Sequence, residues 1–395
     1  APPSVVIIMK RICFKIISLF LFLLYCSVYL HAQNGVPIEV DSLKLIEVHV
    51  TMETGESDGY IPGMFGDLIV AEGGSLIVSD RQNVSIEQYQ SDGTYKGTVA
   101  REGNGPGEVP FTFSLIDAGS NGFLVWKDQS LMFDFFKKDE DGNYNYKYSK
   151  TPELKRDQRV DLIGYLRNVG YLAFVRSWRD EVKINLPEYK EDVVVLMDEH
   201  LNLVQDSLHI IKTPNHIFKD PARFSTRITM DGLAYLGLPP FRFQDQIRIL
   251  NNNHYAIARP GSALIQVYNS NHKLLREINL NIQVRKIQTS DLNSAFENHP
   301  VANNNIRIRN ELKTYVGEFK PPFLDVWISD DQILLYTKDK ADGKEMVLLA
   351  MDGKPLGKFY LPQFDEVRYF REGKIYSIHK NPLEGHSIRV YEVRE

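Results

Sequence analysis

Basic side chains recur at one position of a repeated pattern in this sequence. Six times an apolar run of strand length ends in a polar residue, and five of these six residues can carry a positive charge. The six are Asp80, Lys127, Arg176, Arg259, Lys338 and His379. If the runs are equivalent strands in a ring, their ends gather on one face, and a basic face would suit a carboxylate, a phosphate or an acidic glycan. The competing interpretation is that these long side chains reach water or pair with neighbours such as Asp128 and Asp339.

Aromatic side chains lie close to the same positions. Trp178 and Arg179 follow Arg176 in a segment that we interpret as an exposed loop, where flat rings and hydrogen-bond donors can grip sugars or peptides. Trp126 and Tyr336 come just before two of the basic residues, and core packing explains them better than ligand binding does. The predicted ligand-binding rim consists of Lys127, Arg176, Trp178, Arg179, Arg259, Lys338 and His379.

Catalytic and metal-binding patterns are sparse. The sequence has no His-Glu-x-x-His motif and no dinucleotide fingerprint after a strand. Asp139, Asp141 and Asn143 offer oxygen donors, but Gly142 is misplaced for an EF-hand, and a hairpin turn explains the segment. The scattered histidines lack the spacing of metal ligands. We therefore predict no cofactor and no metal, and the sequence identifies no catalytic residue.

The elements that would position the rim are β-strands. Each apolar run is preceded by an incoming strand and followed by a second apolar run and a turn, as in residues 67–72, 76–80, 86–89 and 91–93. Nearly continuous apolar character is expected of strands that are covered on both faces. Four strands per unit and six units predict an all-β fold, a six-bladed β-propeller with four-stranded antiparallel blades. Because the last unit has three strands, we expect residues 43–51 to complete it and close the ring.

The spacing of the first runs locates two inserts. The runs begin at residues 76, 123, 172, 255, 334 and 375, so the intervals are 47, 49, 83, 79 and 41 residues. The two long intervals hold extra segments near 212–245 and 281–322. The first contains a candidate hairpin across Asp231-Gly232, which keeps a seven-bladed propeller as the alternative. The second has a helical pattern between Ser290 and Val316, broken at Pro300, with Ser290 as its N-cap.

A glycine-rich segment, Gly103-Asn104-Gly105-Pro106-Gly107-Glu108, is typical of a compact crossing between blades. A phosphate-binding loop would need Lys and Ser or Thr after the last glycine, where Glu108 and Val109 stand. Together with residues 79–83 and 89–93, this segment resembles the NHL-type propeller repeat. With Pro321-Pro322-Phe323 added, the chain is similar to exported six-bladed propeller proteins of Bacteroides-type bacteria. The resemblance implies the fold and export but no ligand, since only the first blade carries the full motif.

The N-terminal residues have the layout of a secretory signal peptide. Met9 is followed by basic residues, a short apolar stretch and Ala32, after which we expect cleavage. Residues 1–8 are interpreted as a start-site artefact, 9–32 as the signal peptide and 33–395 as one propeller domain. We expect export to the periplasm, cell surface or medium, with no transmembrane span in the mature chain. Tyr25 is too large for a lipobox, which argues against a lipid anchor at Cys26.

The mature chain would contain no cysteine, because both Cys13 and Cys26 fall within this segment. Disulfides and thiol catalysis are thereby excluded. Removal of three basic residues leaves 43 basic against 51 acidic residues, a net charge of −8. Such a charge argues against nucleic acid as a partner.

Two hypotheses about function follow. The preferred one is a monomeric, noncatalytic binding propeller that engages an anionic glycan, a peptide or a partner protein through its loop face. The alternative is a hydrolase or lyase, similar to propeller lactonases, with acids in the central channel or a His/Arg/Tyr cluster and, under this alternative alone, a calcium ion.

Overall fold

The computed structural model describes most of the chain after residue 41. The described residues are 42–51, 63–71, 73–119, 122–155, 158–177, 187–220, 229–230, 233–250, 252–282, 284–340, 343–383 and 385–394. The signal peptide predicted at 9–32, its cleavage after Ala32, and the rim residues Trp178 and Arg179 lie outside the described residues.

Twenty-seven strands and two helices make up the described part of the chain. The first strand is β1 (Lys44–Thr51). Blade 1 contains β2 (Phe65–Val70), β3 (Leu76–Asp80), β4 (Ser85–Tyr89) and β5 (Tyr95–Ala100). Blade 2 contains β6 (Phe113–Asp117), β7 (Gly122–Lys127), β8 (Met132–Lys138) and β9 (Tyr144–Lys150). Blade 3 contains β10 (Gln158–Leu166), β11 (Gly170–Ser177), β12 (Tyr189–Met197) and β13 (Leu203–Pro214).

The first insert follows blade 3 and the second follows blade 4. The first holds β14 (Ile217–Lys219), β15 (Thr229–Met230) and β16 (Leu233–Gly237). Blade 4 contains β17 (Gln246–Ile249), β18 (Tyr255–Arg259), β19 (Leu264–Tyr268) and β20 (Leu274–Asn279). The second insert holds α1 (Thr289–Glu297) and α2 (Ile306–Lys313). Blade 5 contains β21 (Asp325–Ile328), β22 (Gln332–Lys340), β23 (Gly343–Ala350) and β24 (Pro355–Leu361). Blade 6 adds β25 (Asp365–Arg371), β26 (Lys374–Asn381) and β27 (Gly385–Arg394).

The six blades form a closed ring, which confirms the six-bladed prediction. The inner strand of each blade contacts the inner strand of the next, and β25 contacts β2. Blade 6 has the order β1-β27-β26-β25, so the N-terminal strand supplies its outer strand, as predicted. The pairing runs from Lys44 opposite Arg394 to Thr51 opposite Ile388. This closure leaves the last blade with no unpaired edge at β27.

The cores lie between the blades. Each of the six interfaces between neighbouring blades within the described residues has its own buried apolar cluster. The strand β3 is buried at all five positions because blades cover both of its faces. The outer strand β13 is exposed over much of its length. Burial on both faces explains the continuous apolar runs that made the repeats visible in the sequence.

The two inserts fold together into one unit, which we call the cap: β14 to β16 with α1 and α2. Their shared core includes Ile217 and Leu236 from the first insert and Phe296 and Leu312 from the second. Residues 231–232 lie outside the described residues, but the strands on either side of them, β15 and β16, belong to a three-stranded sheet of order β14-β16-β15 and not to a seventh blade. The inner strands β10 and β17 touch directly, which leaves no gap for such a blade.

The helices fall where the second insert predicted them, but the cap residue differs. Gln288, not Ser290, is the N-cap residue of α1, and its N–H donates to the Asp291 carboxylate at 2.9 Å. The Asn305 side chain accepts a hydrogen bond from the Ile308 N–H at the start of α2. Neither helix, nor any other in the described residues, is long and apolar enough to cross a membrane.

A four-stranded meander fixes which loops share a face. Each inner strand begins where the chain arrives from the previous blade, and each second strand ends on that same side. We call this side the upper face and the opposite side the lower face. The predicted rim residues that the structure describes therefore lie on the upper face, as does the cap, which is inserted between outer and inner strands.

Candidate ligand-binding cleft and central channel

The predicted rim residues within the described chain each contact a carboxylate. Lys127 Nζ lies 2.6 Å from Asp134, Arg176 Nη2 2.6 Å from Asp192, and Arg259 Nη1 2.8 Å from Asp245. Lys338 Nζ lies 3.1 Å from Glu345, and His379 Nδ1 contacts Asp365. These partners differ from Asp128 and Asp339, which sequence proximity suggested. The rim cations are therefore paired, and the upper face has no excess positive charge from them.

Lys127 and Asp134 fix the conformation of the glycine-rich segment that crosses from blade 1 to blade 2. Lys127 Nζ donates to the carbonyl of Gly105 at 3.1 Å, and the N–H of Gly107 donates to Asp134 at 3.1 Å. Gly107 has φ of 77°, in the left-handed region, and a Cβ there would lie 2.8 Å from Tyr146. Both charged side chains are almost fully buried, at 4% and 0% exposed. This pair supports the loop and presents no charge to a ligand.

His379 belongs to another buried network. Asp365 accepts hydrogen bonds from the Ser377 hydroxyl at 3.0 Å and from the Tyr391 hydroxyl. Burial, and then the contact with Asp365, raise the pKa of Tyr391. His379 and Asp365 are both buried. The network holds three strands of blade 6 together.

Arg176 differs from these residues because it faces a cavity. A cleft of about 670 Å³ lies on the upper face, between blades 3 to 5 and the segments that join them to the cap. Arg176 lies over the ring of Phe174 at 4.5 Å and donates to Asp161 at 2.8 Å and to Asp192. Burial alone would lower the pKa of Arg176, but the two carboxylates raise it overall. The guanidinium is thus held rigidly at the wall of the cleft.

The segment that joins the cap to blade 4 forms the opposite wall. Phe241 has φ of 60°, which is strained for an aromatic residue. Phe243 packs on Tyr189, with ring centroids 5.1 Å apart. Arg242 donates to Glu188 at 2.7 Å and to the carbonyl of Tyr315, so it ties both inserts to blade 3. The result is an aromatic wall that faces the strand ends of blades 3 and 4.

A second ion pair lies where the cleft meets the central channel. Arg248 of β17 donates to Asp325 of β21 at 2.6 Å and to the carbonyl of Val326 at 2.8 Å. Arg248 and Asp325 are about one third exposed. Both also line the channel, a cavity of about 1090 Å³ enclosed by the inner strands. The cleft and the channel therefore share part of their walls.

The channel holds one carboxylate of a different kind. Asp117, the last residue of β6, accepts a hydrogen bond from the N–H of Gly119 at 2.8 Å and, within the described residues, has no ion pair. Burial raises the pKa of Asp117, opposed in part by the Gly119 N–H and by the more distant Arg371. Its side chain is partly accessible because it lines the cavity. Tyr369 is close to it, and burial raises the pKa of Tyr369 well above its usual range.

The described residues include no group of three or more histidine, cysteine, aspartate or glutamate side chains placed to hold a metal ion. Five basic rim side chains are paired with carboxylates, whereas Asp80, at the same position of blade 1, accepts hydrogen bonds from the backbone N–H groups of Gly63 and Gln82. The arrangement can instead bind polar ligands, because it combines fixed guanidinium donors, carboxylate acceptors and aromatic faces.

Two of the predicted rim residues, Arg176 and Arg259, lie on blades 3 and 4 that border the cleft, and Arg176 lines it. Lys127, Lys338 and His379 do not line the cleft. Sequence reasoning missed Arg248, Asp325, Phe241 and Phe243. The signal for the last two was the Pro239-Pro240 punctuation beside two aromatics, whereas nothing in the sequence shows which side of an inner strand faces the channel.

The fold and the cavities define a six-bladed β-propeller with a capped cleft on its upper face. No model of a known protein family matches the chain, and no curated protein matches it either. Among solved structures it is similar to a Bacteroides fragilis protein assigned as exported, with 13% identity, 91% of this chain and 97% of that chain covered, and a TM-score of 0.47. A DUF4221 family member from Bacteroides vulgatus has 10% identity, coverage of 90% and 100%, and a TM-score of 0.44.

An enzyme is also among the similar structures. Virginiamycin B lyase from Staphylococcus aureus has 9% identity, coverage of 89% and 99%, and a TM-score of 0.40. At these values the likeness gives no information on the ligand. The six-bladed architecture implied by the sequence resemblance is confirmed by the chain's own structure, and Bacteroides proteins, one of them assigned as exported, are among its structural neighbours.

Proposed function

We propose that this protein is an exported, noncatalytic binding propeller whose ligand is a glycan held in the cleft beneath the cap. The observation that carries the proposal is the composition of the cleft. Three arginines and three aspartates, Arg176, Arg242, Arg248, Asp161, Asp245 and Asp325, line it together with aromatic rings. The size of the cleft, about 670 Å³, is that of a small-molecule or oligosaccharide site.

The chemistry of this lining suits hydroxyl groups. A sugar hydroxyl can donate to a carboxylate and accept from a guanidinium, so an ion pair such as Arg248–Asp325 offers both partners to neighbouring hydroxyls. Phe241 and Phe243 add apolar faces for the ring carbons of a sugar. Because arginines and aspartates balance, the lining favours an uncharged glycan over the anionic one that the basic rim alone suggested.

Export is part of the proposal. The N-terminal pattern of basic residues, apolar stretch and Ala32 supports it, and a glycan ligand fits a protein of the periplasm or cell surface. The excess of acidic residues argues against a nucleic-acid partner.

The test is a binding screen of the purified chain by thermal shift, followed by titration calorimetry. Neutral probes are malto-, cello- and chito-oligosaccharides, and acidic probes are oligogalacturonate and hyaluronan fragments, each at low and moderate salt. We expect a neutral oligosaccharide to raise Tm with little dependence on salt. Asp325→Asn should weaken its binding about tenfold, or ~1.4 kcal/mol.

The matched control is Asp352→Asn, because Asp352 lies on an exposed turn of the lower face, where it pairs with Lys354. We expect Asp352→Asn to bind the oligosaccharide like the wild type. If no oligosaccharide shifts Tm, or if both variants lose affinity equally, the cleft is not a glycan site. A salt-sensitive shift with acidic probes alone would favour the basic-rim hypothesis instead.

A hydrolase or lyase is the second candidate, and one observation favours it. Asp117 lies in the channel without an ion pair among the described residues, and its pKa is raised by burial, which are features of a general acid. Incubation of the bound oligosaccharide with the protein, followed by mass spectrometry, separates the two candidates. Products of hydrolysis or elimination that disappear in Asp117→Asn would establish the enzyme.

A further inference from the structure

The cleft and the channel share part of their walls. Four residues, Ile163, Ile247, Arg248 and Asp325, line both cavities. Ile163, Ile247 and Arg248 belong to the inner strands of blades 3 and 4, and Asp325 begins the inner strand of blade 5. The Arg248–Asp325 pair therefore stands at the junction of the two cavities.

The channel extends from this junction toward the lower face. Asp325 is the first residue of its inner strand, near the upper face, whereas Asp117 is the last residue of β6, at the lower end. The strand β6, with 5 residues, spans about 13 Å at ~3.3 Å per residue. A ligand that filled the cleft and also reached Asp117 would need to be an extended chain.

The channel wall has the side chains that such a chain needs. Tyr165, Trp327 and Tyr369 line it and offer aromatic faces and two hydroxyls. Asp117 lines it as well, near the lower mouth. The channel is therefore lined, like the cleft, by both hydrogen-bonding groups and aromatic rings.

Asp117 is set apart from the cleft carboxylates by its contacts. Asp161 and Asp325 each lie within 2.8 Å of an arginine nitrogen, and Asp245 does too. Asp117 accepts one backbone N–H, and the rest of its hydrogen-bonding capacity has no partner among the described residues. Because Asp117 is partly accessible in the channel, this spare acceptor capacity is open to a ligand there.

We propose that the central channel is the terminal subsite of the glycan site, in which Asp117 binds hydroxyls at one end of an unbranched oligosaccharide chain. The inference rests on the proposed function and specifies its substrate class: a linear chain, recognised by its end, that passes from the cleft through the Arg248–Asp325 junction. One chain end lies in the channel, and the rest of the chain lies in the cleft and leads out beneath the cap.

The experiment uses ladders of linear malto-, cello- and chito-oligosaccharides from two to six units. Each member is used free and with a bulky aminobenzamide group at its reducing end, and cyclic maltohexaose serves as a chain without ends. Calorimetry measures Kd for the wild type, Asp117→Leu, Asp117→Asn and the lower-face control Asp352→Asn. Circular dichroism and Tm establish that each variant is folded.

We expect affinity to rise along the ladder and Asp117→Leu to lower it at least tenfold for the longest member. Asp117→Asn keeps an acceptor for Gly119 and gains an amide donor, so its affinity should stay within about threefold of the wild type. Maltohexaose should bind better than its cyclic form if malto-oligosaccharides are the ligand. Where the reducing end is the one bound, the aminobenzamide group should abolish binding.

The two proposals fail in different ways. If no ladder binds the wild type, the glycan function itself is wrong. If a ladder binds and Asp325→Asn weakens it, but Asp117→Leu binds every length like the wild type, the cleft is the site and the channel inference is wrong. Equal binding of linear and cyclic maltohexaose would also overturn recognition of a chain end. Should Asp117→Leu fail to fold, the comparison of free, blocked and cyclic chains on the wild type still decides the inference.

Discussion

Basic side chains on the upper rim are ion-paired, whereas the carboxylate at the floor of the channel, the lower end at Asp117, is not, in the part of the chain that the structure describes. On the rim, Lys127, Arg176 and Lys338 each lie within 3.1 Å of a carboxylate oxygen. On the channel floor, Asp117 has a backbone N–H and no basic partner among the described residues. The rim positions repeat from blade to blade, and the Asp117 position does not. The difference indicates that the repeated charges mainly hold the fold, and it supports the proposed ligand subsite at Asp117, where the repeat is interrupted.

The largest expected effect comes from breaking a buried rim pair. Lys127→Met would leave Asp134 charged and 0% exposed, with only the Gly107 N–H and the Ser149 hydroxyl as donors. Removing one partner of a buried ion pair costs about 3–5 kcal/mol. We therefore expect a large fall in the free energy of unfolding, measured by urea denaturation.

The control for this substitution is Lys137→Met, because Lys137 is an exposed lysine on the adjacent strand β8. Its loss should change stability by no more than about 0.5 kcal/mol. Equal effects of the two substitutions would mean that the Lys127–Asp134 pair does not support the glycine-rich crossing.

The channel floor should respond in the opposite direction. Because burial raises the pKa of Asp117 above its ordinary 3.8, the folded state holds this proton more tightly than the unfolded state. The stability that the group contributes is full below pH 3.8 and is lost as the pH rises through its folded-state pKa. Asp117→Asn should therefore raise Tm at pH 7.5 and leave it unchanged near pH 3.8.

Melting curves of wild type and Asp117→Asn at both pH values test this sign. Asp352→Asn again serves as control, since its carboxylate has a lowered pKa from its contacts with Lys354. A loss of stability in Asp117→Asn at pH 7.5 would show that Asp117 is a structural group, and the contrast with the rim would disappear.

The features of this fold that repeat along the chain can be predicted from the sequence, and those that do not repeat cannot. The six blades and the closing strand are predictable because the apolar runs recur at similar spacing and the last unit lacks a strand. The rim partners are not, because Asp134 and Glu345 reach Lys127 and Lys338 across strands, which depends on register. The cap is not predictable either. Its core brings together Leu236 and Phe296 from different inserts, and no local sequence pattern indicates that these two residues pack together.

A smaller effect is expected at the boundary of blades 3 and 4, where a half-buried histidine is held without charge. His209 Nε2 lies 2.6 Å from the Tyr255 hydroxyl, which also contacts His272 Nδ1 at 3.2 Å. Burial, then the neighbouring His272 and Arg259, lower the pKa of His209 from 6.5 to about 4. The stability it contributes is present above pH 6.5 and is lost as the pH falls through about 4.

The variant His209→Gln retains a group that can bond to Tyr255 but cannot take up a proton in this range. Its free energy of unfolding should therefore fall less steeply than that of the wild type between pH 6.5 and 4, as measured by urea denaturation at several pH values. If the free energies of unfolding of wild type and His209→Gln change in parallel with pH, His209 takes up its proton in the folded state as it does in the unfolded state. A charged group would then be tolerated between the blades as it is on the rim.

The smallest effect should come from the rim itself, at Lys338. This side chain is 36% exposed, and Glu345 also receives Lys340 at 3.0 Å and the Thr337 hydroxyl at 2.9 Å. Because Glu345 keeps two partners, Lys338→Met should lower the free energy of unfolding by no more than about 1 kcal/mol. Urea denaturation of Lys338→Met beside Lys127→Met measures the difference between an exposed and a buried pair at equivalent positions of two blades. If Lys338→Met lowered the free energy of unfolding as much as Lys127→Met does, the prediction would be wrong. The position in the repeat, and not burial, would then determine how much each ion pair stabilises the protein.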